Sequence, residues 1–303
     1  MTVLLRASQL TRRFGEVAAL DGFDLEVGAG EIVGLVGHNG AGKTTFARAA
    51  AGLVSLDAGA VTVAGYDAAR QRRQARRLLG LAPQELAIYP TATARENLLL
   101  FAGLQGLKRA EAQRRAEALA GAMALSAVLD RRVCDLSGGQ QRRLQAATAM
   151  IHRPPVLILD EPTVGADPTT REALLAVVRS AADDGAAVVY TTHYLPELDL
   201  LDATLAVASR GRIIARGPRA ALLASVPGHA ELMFSGPPPQ LTLPAPADAR
   251  ICVEAERMTI TSADPASLLA SLISAHPETA GRLRAIDLRP PTLDDLYRSL
   301  VEP

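Results

Sequence analysis

The chain has 303 residues, 49% of them apolar, and its 32 basic residues balance 32 acidic ones. That length is a prior for two domains. The apolar share excludes disorder as the main state, and zero net charge argues against a protein that wraps nucleic acid.

In chain order, Val3–Arg6 and Phe23–Val27 read as strands, with turns at Asp21-Gly22 and Gly28-Ala29-Gly30. Ile32–Val36 is a short, continuous apolar run, as suits a strand buried on both faces. It leads into Gly37-His38-Asn39-Gly40-Ala41-Gly42-Lys43-Thr44, which fits G-x-x-x-x-G-K-[ST], and a helix over Thr44–Gly52 follows. Strand, loop and helix in that order are the setting of a phosphate-binding loop. Glycines let the backbone curl so that its N–H groups converge on phosphates, and the helix adds its positive dipole end. In that reading Lys43 reaches the β- and γ-phosphates, and the Thr44 hydroxyl ligates Mg²⁺. Lys43 and Lys108 are the only lysines in a chain that otherwise uses arginine. A lysine here therefore suggests that the loop needs a compact ammonium rather than a planar fork.

Val61–Ala64 reads as a strand, and Arg95–Phe101 and Arg109–Met123 as helices. Leu136-Ser137-Gly138-Gly139-Gln140 precedes a helix over Gln140–His152. A serine and two glycines at a helix start make either an ordinary N-cap or a second anion site, and local chemistry leaves both open. Val156–Asp160 is an apolar strand that delivers Asp160 to a metal and Glu161 to a position where it can polarise a water. A helix over Thr170–Asp183 and strands over Ala187–Thr191 and Leu205–Ala208 complete the pattern. Its alternation predicts an α/β fold with a mostly parallel core sheet and helices on both faces.

From Pro218 to Arg250 there are seven prolines, Pro218 included. They predict a Pro-rich linker over 219–249. Residues 250–303 read as a small α+β accessory unit. Its strands are Arg250–Val253, Met258–Thr261 and Ala285–Leu288. Asp264-Pro265 caps a helix over Ala266–Ala275, and Thr292-Leu293-Asp294-Asp295 starts a last helix ending near Leu300. No run approaches the roughly 18 apolar residues that suggest a membrane span. Met1 to Arg12 lack the apolar core of a secretory signal. Cys134 and Cys252 alone make neither a disulfide framework nor a metal cluster.

Taken in order, these motifs resemble the ATPase subunit of an ATP-binding cassette (ABC) transporter over roughly residues 3–217. The phosphate loop is Gly37–Thr45, ending Lys43-Thr44-Thr45. Leu136, Ser137, Gly138, Gly139 and Gln140 fit the family's LSGGQ signature in full. The resemblance implies a P-loop NTPase fold with N-terminal antiparallel strands, and a nucleotide-binding domain over 1–218 with a helical subdomain at about 85–150. It also implies two copies joined head to tail, with two ATP molecules between the phosphate loop of one and the signature of the other.

Further roles follow from the resemblance one residue at a time. Phe14, in Arg13-Phe14-Gly15, stacks on adenine. Gln84, in Ala82-Pro83-Gln84, touches Mg²⁺ and the attacking water, Asp160 holds Mg²⁺, and Glu161 is the catalytic carboxylate. Asp167, in Gly165-Ala166-Asp167-Pro168, signals across the dimer, although the family more often has leucine where Ala166 stands. His193, in Thr191-Thr192-His193-Tyr194, contacts the γ-phosphate.

A lone cassette implies a separate membrane-spanning permease, docked over about Glu85 to Gly106. The chain would then work as a peripheral protein at the cytoplasmic face of the membrane, with no nucleic-acid partner. Tyr194-Leu195, Gly211-Arg212-Ile213-Ile214 and the tail Pro290-Pro291-Thr292-Leu293-Asp294-Asp295-Leu296-Tyr297 resemble the daunorubicin-type drug-resistance exporters. Export of drugs or other hydrophobic compounds is therefore expected. Export of a lipid or polysaccharide, uptake, and a non-transport ABC ATPase are the alternatives.

Overall fold

A computed structural model describes residues 2–224, 226–238, 249–277, 281–289, 291–292, 295–296 and 298–299. The chain divides into two units, Met1–Gly217 and Pro218–Pro303. The strands of the first are β1 (Val3–Phe14), β2 (Val17–Gly28), β3 (Ile32–Val36), β4 (Ala58–Val63), β5 (Tyr66–Asp67), β6 (Leu79–Ala82), β7 (Val156–Asp160), β8 (Ala187–Thr191), β9 (Thr204–Ser209) and β10 (Arg212–Pro218). Its helices are α1 (Lys43–Ala50), α2 (Arg72–Arg77), α3 (Ala94–Leu104), α4 (Arg109–Ala122), α5 (Gly138–Met150), α6 (Pro168–Asp183) and α7 (Pro196–Leu200).

Two sheets build this unit. One is antiparallel, in the order β2-β1-β4-β5. The other runs β10-β9-β3-β8-β7-β6, and β6, β7, β8, β3 and β9 pair in parallel. Every residue of β3, β7 and β8 is buried, as their unbroken Val, Ile and Leu content dictates. The core between the sheets includes Leu5, Leu10, Val33, Ile158 and Val189. Phe23 and Phe46 stack inside it with ring centroids 5.0 Å apart.

The first two strands are longer than expected. Polar residues such as Ser8, Arg12 and Arg13 hide the strand signal, because one side of this antiparallel sheet faces solvent. Asp21-Gly22 is not a turn between strands. It is a bulge inside β2, where pairing steps from Leu10↔Phe23 to Thr11↔Asp21 and Gly22 takes φ 73°. α2 and β6 were not expected. Both are short, and Leu-Gly-Leu-Ala has no β-branched residue to mark a strand.

The second unit contains α8 (Arg219–Leu223), β11 (Gly228–Phe234), β12 (Arg250–Glu254), β13 (Arg257–Ser262), α9 (Pro265–Ala275) and β14 (Leu283–Arg289). Its sheet runs β12-β13-β11-β14. Ala230, Leu232, Phe234, Met258 and Ile260 pack with Leu269 and Leu272 of α9. The linker expected over 219–249 is corrected here, because β11 lies inside it and is an inner strand of the sheet. Prolines flank β11 at 227 and 237 without entering it, and Ala230, Leu232 and Phe234 alternate inward. Asp264 caps α9 as expected, accepting from the Ser267 N–H at 3.0 Å. Much of the expected last helix and of the tail 290–297 lies outside the described residues.

Candidate active site

The carboxyl ends of four adjacent parallel strands converge on one place. β3 feeds the phosphate loop, β7 ends in Asp160-Glu161, Gln84 follows β6 and His193 follows β8. Ligands of open α/β sheets bind at such ends. Gly42 forms the N-cap of α1 with φ 102°, and a Cβ there would stand 2.6 Å from the Ala19 carbonyl oxygen. Only glycine fits. His38, Asn39 and Gly40 form the exposed rim of the loop, whereas Ala41, Gly42 and Lys43 are buried.

Lys43 Nζ donates to the carbonyls of Gly37 at 2.5 Å and His38 at 3.2 Å. Burial pushes its ammonium below the ordinary lysine value, while Glu161 and Asp160 pull it back up. Asp160 is 2% exposed. Its two oxygens accept from Thr44 Oγ1 at 2.9 Å and from Thr191 Oγ1 at 2.5 Å. Glu161 takes a left-handed backbone, φ 52°, which is unusual for a residue with a side chain. Its N–H bonds both Thr191 Oγ1 at 3.0 Å and the Thr191 carbonyl at 3.1 Å. Those bonds hold the turn that aims the side chain. Glu161 Oε1 then lies 2.5 Å from His193 Nε2, and Oε2 accepts from Gln84 Nε2 at 3.0 Å.

Six residues picked from the sequence therefore meet: Lys43, Thr44, Gln84, Asp160, Glu161 and His193. Thr191 was missed. It ends a buried strand beside the carboxylate strand with a hydroxyl, and that pattern could have marked it. The contacts of Gln145 beside Gln84 were not anticipated either: its amide accepts from the Ala87 N–H at 2.6 Å and donates to the Pro83 carbonyl, and nothing in the sequence says which loop that amide meets.

The remaining residues stand elsewhere. Phe14 is at the tip of the β1–β2 hairpin, 49% exposed, with the Arg12 guanidinium 4.7 Å from its ring centroid. Leu136 is buried, and Ser137 caps α5. Ser137 Oγ accepts from the Gln140 N–H at 3.3 Å, and Gln140 Oε1 accepts from the Ser137 N–H at 2.9 Å, a full capping box. Gly139 packs so close to the Gly165 turn that a Cβ would be 3.1 Å from the Gly165 carbonyl oxygen. Asp167 caps α6 through the Thr170 N–H at 3.0 Å, and its bonds to Thr170 hold its carboxyl below the usual range. Among the described residues, no hydrogen bond or ion pair joins Phe14 or Leu136–Gln140 to the six.

The family description "ABC transporter" matches residues 20–164. A second, "AAA domain, putative AbiEii toxin, Type IV TA system", matches 130–199, which spans Leu136–Gln140, Asp160-Glu161 and His193. A daunorubicin resistance ATP-binding protein of Streptomyces coeruleorubidus is 38% identical over 303 residues, covering 98% of this chain and 94% of that one. The chain belongs to the ABC transporter ATPase family. A Nod factor export ATP-binding protein of Paraburkholderia xenovorans is 36% identical, covering 96% of this chain and 95% of its own length. Among solved structures, an ATP-binding subunit of an ABC transporter is 30% identical, with a TM-score of 0.68 over 72% of this chain and 91% of that one. As an ABC ATPase the chain binds ATP and hydrolyses it. No described helix is long and apolar enough to cross a membrane.

Proposed function

We propose that this chain powers a membrane exporter for drugs or other hydrophobic compounds, through a separate permease. One observation carries the chemical part: Glu161 is fixed between Gln84 and His193, next to an Asp160 held by Thr44. In this reading Glu161 orients the attacking water and takes its proton, and His193 and Gln84 keep it aimed. Lys43 exchanges its two carbonyl partners for β- and γ-phosphate oxygens. Main-chain N–H groups of Gly37–Thr45 surround the phosphates, and Phe14 stacks on adenine through its exposed ring.

Mg²⁺ fits the oxygen-rich donor set of Thr44, Gln84 and Asp160. Among the described residues no cluster of three His, Cys, Asp or Glu could hold a metal. Mg²⁺ does not need one, because phosphates and waters complete its shell. It would supply charge neutralisation on the transferring phosphate.

Leu136–Gln140 and Asp167 would meet a second copy of the chain. The permease would dock on the helical region, supported by exposed Leu86, Tyr89, Leu100 and Leu104 within or beside the expected 85–106 surface. The drug class follows the daunorubicin resistance protein of Streptomyces coeruleorubidus. The Nod factor export relative, nearly as similar, supports export of a substrate other than a drug as the second reading. The nucleotide-binding role falls to residues 1–218, and the C-terminal unit is an accessory. The location is the cytoplasmic face of the membrane.

The test is Glu161→Gln. The variant keeps shape and removes a charge near the γ-phosphate, so it should bind Mg·ATP, turn it over roughly 10²–10⁴-fold more slowly, and accumulate as a dimer in gel filtration. Asp160→Asn should weaken Mg²⁺-dependent binding and trap no dimer. Normal turnover by Glu161→Gln would sink the catalytic assignment. An inactive variant that stays monomeric in saturating ATP would sink the two-copy arrangement for the isolated subunit.

A further inference from the structure

Gln145 lies on α5 about two turns after the capping box and is 3% exposed. Its amide does not face its own helix. Oε1 accepts from the Ala87 N–H at 2.6 Å, and Nε2 donates to the Pro83 carbonyl. Three residues earlier, Arg142 donates to the Gln84 carbonyl. Three bonds thus strap the 83–87 backbone to α5, on both sides of Gln84. The Gln84 side chain points the other way, to Glu161 Oε2. A buried amide costs stability unless paired, and a leucine would fill the same space. Pairing at both ends of Gln145 is what a strap needs and what core filling does not.

We propose that Gln145, assisted by Arg142, is a positioning residue that ties the N-terminus of α5 to the placing of Gln84. The proposal rests on the reading above, in which Leu136–Gln140 grip the ATP held by the second copy. α5 is a continuous helix, so a shift at Ser137 is carried to Arg142 and Gln145, and the strap moves the Gln84 backbone with it. Gln84 meets Glu161 through one 3.0 Å hydrogen bond, which a displacement of about an ångström makes or breaks. Closure on one nucleotide therefore sets the catalytic geometry of the other, and hydrolysis is cooperative in ATP.

The experiment uses the full chain, with ATP binding measured by calorimetry and ATPase rate measured against ATP concentration. Gln145→Met keeps the volume and removes both polar ends. It should bind ATP within about twofold of the parent, lose roughly 10- to 100-fold in kcat, and show a Hill coefficient near that of independent sites. In a Gln84→Ala background the same change should do nothing further, since the strap acts through Gln84. A merely structural role would add its loss in both backgrounds. A folded Gln145→Met with unchanged kcat and Hill coefficient overturns the proposal, as does an additive double variant. If Gln145→Met does not fold, Arg142→Ala decides: a lowered Hill coefficient supports the strap and an unchanged one overturns it. A parent chain without ATPase activity or cooperativity would instead overturn the two-site reading beneath it.

Discussion

At Glu161 a side chain with chemical partners sits on a backbone that glutamate disfavours. A left-handed non-glycine residue costs of order 1–3 kcal/mol, and two bonds to Thr191 hold it there. Motif spacing exposed Glu161 in the sequence, because a strand end followed by two carboxylates is a local pattern. Thr191 and Gln145 were not legible, because their roles lie in which distant residue each one meets. Lys43 makes the residue-scale prediction. Its ammonium is desolvated, and its partners are two carbonyls of its own loop, which the proposed role exchanges for phosphate oxygens. Hydrogen bonds to charged groups contribute about 1.5–3 kcal/mol. Lys43→Ala should therefore weaken ATP binding roughly 10- to 100-fold and abolish turnover, with little change in melting temperature. Calorimetry showing parental affinity would remove Lys43 from the phosphate site.

Among elements, legibility followed burial. β3, β7 and β8 are buried on both faces, read as unbroken apolar runs, and lie where the sequence placed them. β1 and β2 are half solvated and β11 is hemmed by prolines, so composition masked their alternation. The segment after α5 carries an acid-side consequence. Burial pushes the His152 imidazole down from 6.5 to about 4. Protonation is thus easier in the unfolded chain than in the folded one. Stability contributed by neutral His152 is present above the unfolded value and is lost as pH falls through that window. His152→Leu removes the proton site. Between pH 7 and pH 4.5 the variant should gain about 2 kcal/mol relative to the parent, read from urea unfolding at each pH. A difference that stays constant with pH would show that the histidine is not held neutral.

The whole molecule divides after Gly217. Every residue assigned to the nucleotide, from Phe14 to His193, precedes that point. The first unit has its own core around Phe23 and Phe46, and the second has its own around Phe234 and Leu272. Units with separate cores can in principle fold alone. A chain ending at Pro218 keeps β10 whole and cuts through no other strand of the six-stranded sheet. It should unfold cooperatively and bind ATP within about twofold of the full chain, because the hydrogen-bond and ion-pair partners described for Lys43, Asp160 and Glu161 all precede Pro218; a change below about 0.5 kcal/mol is usual for changes away from such groups. Any loss should fall instead on assembly with the permease or on transport. Circular dichroism and calorimetry on the shortened chain check this together. A protein that is folded by dichroism yet fails to bind ATP would place part of the nucleotide site, or its support, beyond Pro218.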